Sequence, residues 1–182
     1  MKFKIIVLVT VMMLMLSACS GEHLYNVDSF IEKYNAVAGS TVKKEDFISY
    51  TDRDKTDYCT ELDGILLSVT VDRSLNKVSR INLCGDNVSS ENMENLAKDI
   101  INCLTDGDTA KADQITKGLN MEKHLSSDSF YKSYIFEKDL TYGFISTDAG
   151  NLFYVNFNEF TPVSPTEIPE FQENYTLAEN RE

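Results

Sequence analysis

The spacing of apolar residues alternates along this chain between a helical and a strand period, and the order of those changes limits the fold most. Phe30, Ile31, Tyr34, Val37 and Ala38 form one stripe of a helix capped by Asn26 or Asp28 and stopped by Gly39. Residues 45–50 then read as a strand around Phe47 and Ile48. A charged stretch, TDRDKTDYCTELDG, follows as a loop with a short strand near Tyr58 to Glu61. Residues 66–71 and 77–83 alternate as a hairpin across the loop 72–76. The helical period returns over 91–104, capped by Ser89 or Ser90, with Met93, Leu96, Ala97, Ile100, Ile101 and Leu104 on one side. Asp106-Gly107-Asp108 breaks it. A weaker helix covers 109–117, with Ala112 and Ile115 inward and Gly118 as its stop. Aromatic-rich strands close the pattern at 130–137, 140–147 and 152–159, the last two joined by a turn at 148–151. Helix, strands, helices, strands is the order of an α+β fold. The expectation is an antiparallel sheet with helices packed on one face; the order also allows two weakly related helix-plus-meander halves.

The first residues obey different rules. Lys2 and Lys4 precede an apolar run from Ile5 to Leu16, interrupted by Thr10. The run is the length of a secretory signal's apolar core and too short for a spanning helix of about 20 residues. Leu16-Ser17-Ala18-Cys19 ends it. A leucine, two small residues and a cysteine resemble the lipobox of bacterial membrane lipoproteins. The resemblance covers only the first twenty or so residues. It implies cleavage before Cys19 and a covalent diacylglycerol thioether on that thiol, with an acyl chain such as palmitate. Two chains give stable anchoring where one is marginal. It also implies a cell-membrane protein facing the extracytoplasmic side. The absence of Trp and the four arginines, beside abundant Asn, Asp and Lys, resemble the usage of an AT-rich Gram-positive genome. The boundaries that follow are a signal peptide 1–18, a tether 19–26, an α+β domain 27–161 and an acidic, proline-containing tail 162–182, expected to be disordered.

The remaining 164 residues suffice for one domain with a core. They carry 15 basic and 29 acidic side chains, a net charge of −14. Such a surface excludes nucleic acid as a partner and favours solubility, a basic partner or cations. With Cys19 taken by lipid, Cys59, Cys84 and Cys103 remain, enough for at most one disulfide, at spacings that fit no CxxC zinc site. At least one is expected as a buried, reduced thiol.

Catalytic patterns are missing. His23 lies on the tether; His124 lies in a polar loop, near Ser126, Ser127 and Ser129, where a solvated role is expected. There is no GxSxG elbow, no HExxH, and no glycine-rich phosphate loop. No catalytic residue and no cofactor besides the lipid is expected. Asp52, Asp54, Asp57, Glu61 and Asp63 concentrate hard oxygens, and Asp52-x-Asp54-x-Thr56 starts like a calcium loop. The sixth position is Asp57 where glycine is needed, and the twelfth is Asp63 where a longer glutamate is usual. These are weak metal candidates; the better expectation is a solvated acidic loop and no metal.

Residues 130–160 hold ten of the nineteen aromatics. Phe144, Phe153, Val155 and Phe157 are expected against the helices. Tyr131, Tyr142 and Tyr154 are expected on the opposite face as partner-binding residues, since tyrosine offers apolar area with a polar tip. The function expected is a membrane-anchored, non-enzymatic module binding a protein or an envelope component. The alternative is a small-ligand or calcium-binding lipoprotein serving a transporter or sensor.

Overall fold

Asn26 opens the first helix: its side-chain oxygen accepts the Ser29 amide at 2.9 Å, satisfying one of the N–H groups a helix start leaves bare. A computed structural model describes residues 26–86, 90–125, 129–137 and 139–158. The signal, lipobox and tether positions 1–25, Ser89, and the tail from 159 onward lie outside the described residues.

Among the described residues four helices accompany seven strands: α1 Val27–Val37, β1 Ile48–Asp52, β2 Lys55–Leu62, β3 Ile65–Asp72, β4 Lys77–Gly85, α2 Ser90–Leu104, α3 Thr109–Gly118, α4 Met121–His124, β5 Tyr131–Glu137, β6 Leu140–Thr147 and β7 Gly150–Phe157. A short 3-10 turn, Lys44–Asp46, precedes β1. The strands form one antiparallel sheet in the order β1-β2-β3-β4-β7-β6-β5. Two meanders, β1–β4 and β5–β7, join where β4 pairs with β7, and each follows a helical part. This is the expected α+β architecture.

The turns follow from local chemistry. Asp63-Gly64 joins β2 to β3 with both residues at positive φ, 50° and 82°, the mirror-type turn that suits the twist of a hairpin. In the β3–β4 loop Asp72 accepts the Ser74 amide at 2.9 Å, the Ser74 hydroxyl at 2.5 Å and the Leu75 amide at 3.1 Å. These bonds, led by the Ser74 hydroxyl, hold the Asp72 carboxyl below its ordinary range. Asp106 and Gly107, at φ 54° and 86°, end α2, and the Asp108 side chain accepts the Lys111 amide to start α3.

One core lies between sheet and helices. The α2 stripe Met93, Leu96, Ala97, Ile100, Ile101 and Leu104 is buried, as are Phe30, Ile31 and Tyr34 of α1. They meet Leu67, Val69, Val71, Ile81 and Leu83 of the first meander and Phe144, Phe153, Val155 and Phe157 of the second. Cys103 packs in this core, and burial pushes its thiol up to about 12.

Several expected elements change. The charged stretch 51–64 is mostly strand: β1 and β2 pair from Ile48↔Cys59 to Asp52↔Lys55, so the loop shrinks to Arg53-Asp54. Pairing with β3 along its whole length overrides the polar composition of β2. The polar segment around His124 forms the short α4. Its histidine is half-buried and stacked on Tyr131, with ring centroids 3.5 Å apart, and is not a solvated loop residue.

Candidate functional site

Alternation along paired strands gives every residue a face. On the helix side the contacts are explicit. The Ser133 hydroxyl donates to the Leu119 carbonyl at 2.7 Å, and the Ser146 hydroxyl to the His124 carbonyl at 2.8 Å. Lys111 of α3 bridges to Glu137 of β5 at 2.6 Å. The opposite face carries none of the four helices and is read directly from the register. One row runs across all seven strands: Ile48, Cys59, Ser68, Asn82, Tyr154, Gly143, Tyr134. The next row reads Tyr50, Asp57, Thr70, Arg80, Asn156, Thr141, Phe136. A third, on the other side of the first, carries Glu61, Leu66, Cys84, Leu152, Ile145 and Lys132.

The two halves of this open face differ. Across β1 to β3 it bears Asp52, Asp57, Glu61 and Asp72 beside Lys55, with Ile48 and Tyr50 exposed. Asp57 accepts the Thr70 hydroxyl at 2.5 Å. Across the paired region of β4, β7, β6 and β5 the rings Tyr134, Phe136 and Tyr154 stand with Leu152 and Ile145, and the charged residues are Arg80 and Lys132. In a chain of net charge −12 this half is aromatic and basic. Desolvation pushes the Lys132 ammonium below its usual range. The Arg80 Nε donates to Asn156 Oδ1 at 2.7 Å.

Gly143 organises the aromatic half. A side chain there would collide with Cζ, the hydroxyl and Cε1 of Tyr154, so the Tyr154 ring lies over the bare glycine. Covering a strand glycine with a cross-strand ring offsets the packing that the glycine lacks. On the other side of Gly143, Tyr134 meets Phe136 edge to face, centroids 5.3 Å apart.

The three tyrosines expected together are not brought together. Tyr154 is on the open face. Tyr142 is 1 % exposed and packs in the core, two residues from Phe144 and therefore on the same side of β6. Tyr131 also faces the helices, where it stacks on His124 and its hydroxyl accepts from Asn120 at 3.0 Å. The expectation for Tyr142 and Tyr131 is corrected by period-two alternation: in β6 the even-numbered positions face the helices, and in β5 the odd-numbered ones do. The residues that share the open face with Tyr154 in this half are instead Tyr134, Phe136, Arg80, Lys132 and Gly143. A glycine between two aromatics, Tyr142-Gly143-Phe144, is a sequence signal that could have pointed to a close approach within a strand.

The acidic residues are also redistributed. Asp54 lies in the turn before β2 and Asp63 in the turn after it, some 25 Å apart along an eight-residue strand. Asp57 and Glu61 lie between them on one face of β2, and Asp52 ends β1, so the single calcium-type loop is replaced by a two-stranded hairpin. Among the described residues no three His, Cys, Asp or Glu side chains come together as a metal-holding group. Cys59 and Cys84 share the open face but sit on β2 and β4 with β3 between them. Two strand spacings, about 10 Å, exceed the reach of a disulfide. Burial, and then the neighbouring Cys59, push the Cys84 thiol up. Among the described residues no helix is long and apolar enough to cross a membrane.

Comparison with protein-family models, with curated proteins and with solved structures finds no match for this chain.

Proposed function

We propose that this protein is a lipid-anchored, extracytoplasmic binding module that acts without catalysis and receives a protein or envelope component on the open face of its sheet. The observation that carries the reading is the one-sided packing of the sheet: helices cover one face, and the other presents Tyr134, Phe136 and Tyr154 flanked by Arg80 and Lys132. Aromatic residues and arginine are enriched where proteins meet, and large apolar patches on a surface mark interaction sites. In this reading Cys19 holds the chain to the membrane through its lipid, and residues 20–26 link the anchor to α1.

Two measurements test it. Fatty-acid labelling of cells is expected to mark the protein and to vanish in Cys19→Ser; equal labelling of both overturns the anchor. Pull-down from detergent-solubilised membranes is expected to recover a partner that is lost with Tyr134→Ser/Tyr154→Ser. Recovery unchanged by those substitutions, or no specific partner at all, overturns the binding face.

A further inference from the structure

We propose that the aromatic half of the open face binds residues 159–182 of the same chain, so that an outside partner must displace an internal ligand. The inference rests on the proposed role of this face and adds its regulation.

Three observations support it. The described chain leaves on this face: the side chain of Asn158, the last residue of the fold, accepts the Thr141 hydroxyl at 2.7 Å, and Thr141 pairs with Phe136. Reach is ample, because 24 residues extend up to ~80 Å while β7 to β5 spans about 10 Å. Charge is complementary: residues 159–182 carry six glutamates and one arginine, whereas the charged residues of this half are Arg80 and Lys132. The Arg80 guanidinium meets no carboxylate among the described residues.

The segment also offers Phe160, Ile168, Phe171 and Tyr175 to exposed Phe136 and the half-buried rings of Tyr134 and Tyr154. Covalent connection supplies an effective concentration in the millimolar range, so weak contacts suffice. A second copy of the chain is disfavoured as the occupant by its own net charge of −12.

The test compares amide spectra of the chain from residue 20 with those of the same chain ended at Asn158. The buried residues of the described core all lie between Val27 and Phe157, so the shorter chain retains them. Signals from 132–136, 141–145 and 152–156 are expected to differ between the two. Adding a synthetic peptide of residues 159–182 to the shorter chain should move them back, saturably and less at high salt. In the longer chain Arg80→Glu/Lys132→Glu should shift the same signals toward those of the shorter one, a readout independent of truncation. Coincident spectra at these positions overturn the proposal. So do shifts that grow with protein concentration alongside a doubled mass in sedimentation, which assign the face to a second copy. Failure of the functional reading is separable: the segment then binds while neither chain retains an outside partner. If instead both chains retain one equally and their spectra coincide, only this inference fails.

Discussion

Replacing Gly143 with alanine tests whether the Tyr154 ring depends on a bare backbone beneath it. In an ordinary strand the change stabilises, by about 0.5–1 kcal/mol, because glycine loses more backbone freedom on folding. Here the new Cβ falls well under 3.0 Å from three Tyr154 atoms, where ordinary contact is 3.4–4 Å. The ring must move outward by roughly an ångström or more, and its contact with the backbone opens. Re-exposing roughly 50 Å² of that contact costs about 1.3 kcal/mol at 25 cal/mol/Å². The loss exceeds the gain, so Gly143→Ala is expected to destabilise by about 0.5 kcal/mol. With Tyr154→Ala already present nothing is displaced, and the same substitution should stabilise by about 0.7 kcal/mol. Urea unfolding of the four proteins gives the cycle. The expected result is a reversal of sign and a coupling of roughly 1.3 kcal/mol. An equal effect of Gly143→Ala in both backgrounds, within about 0.3 kcal/mol, refutes the reasoning.

Other expectations concern burial and titration. Tyr142→Ala should lose about 3–5 kcal/mol in urea unfolding, as for a large ring removed from a core, and Tyr154→Ala about 1–2; equal losses would contradict the assignment of faces. Gly150 has φ 145° and a Cβ there would lie 2.6 Å from the Gly85 carbonyl oxygen, so Gly150→Ala should destabilise by about 3 kcal/mol, read by thermal and urea unfolding. A thiol reagent at pH 8 should modify exposed Cys84 in the folded chain but reach Cys103 only after unfolding. Between pH 9 and about 12 the unfolded Cys103 thiol releases its proton while the folded one keeps it, so stability should fall as pH rises. The contribution is about 1.4 kcal/mol per pH unit, measured as the difference in slope between the parent and Cys103→Ala; identical slopes would contradict it.

Helices α1 and α2 were legible because their stripes repeat over three or four turns and their ends carry Asn26, Gly39 and Gly107, residues with one dominant local use. The hairpin 65–85 was legible for the same reason, with Asp72 closing its loop through three local hydrogen bonds. Strand β2 was not, because Lys55, Asp57 and Glu61 are polar residues of a sheet face that no helix covers, and nothing local separates such a strand from a loop. The open face was half legible. Tyr154 was placed correctly beside inward Phe153 and Val155, but Tyr142 was separated from Phe144 although both are even-numbered residues of one strand.

By itself the sequence determined the order of helical and strand segments apart from β2 and α4, because periodicity, caps and turn residues act within a few positions of the chain. It also carries the lipobox resemblance at Cys19, which depends on four adjacent residues and on no fold. Only the tertiary structure decided what those elements present together. The pairing of β4 with β7 joins residues some 70 positions apart, and through it Arg80, Asn156, Thr141 and Phe136 become one row. Residues so distant share a face because hydrogen-bonded register places them there, and register is a property of the assembled sheet.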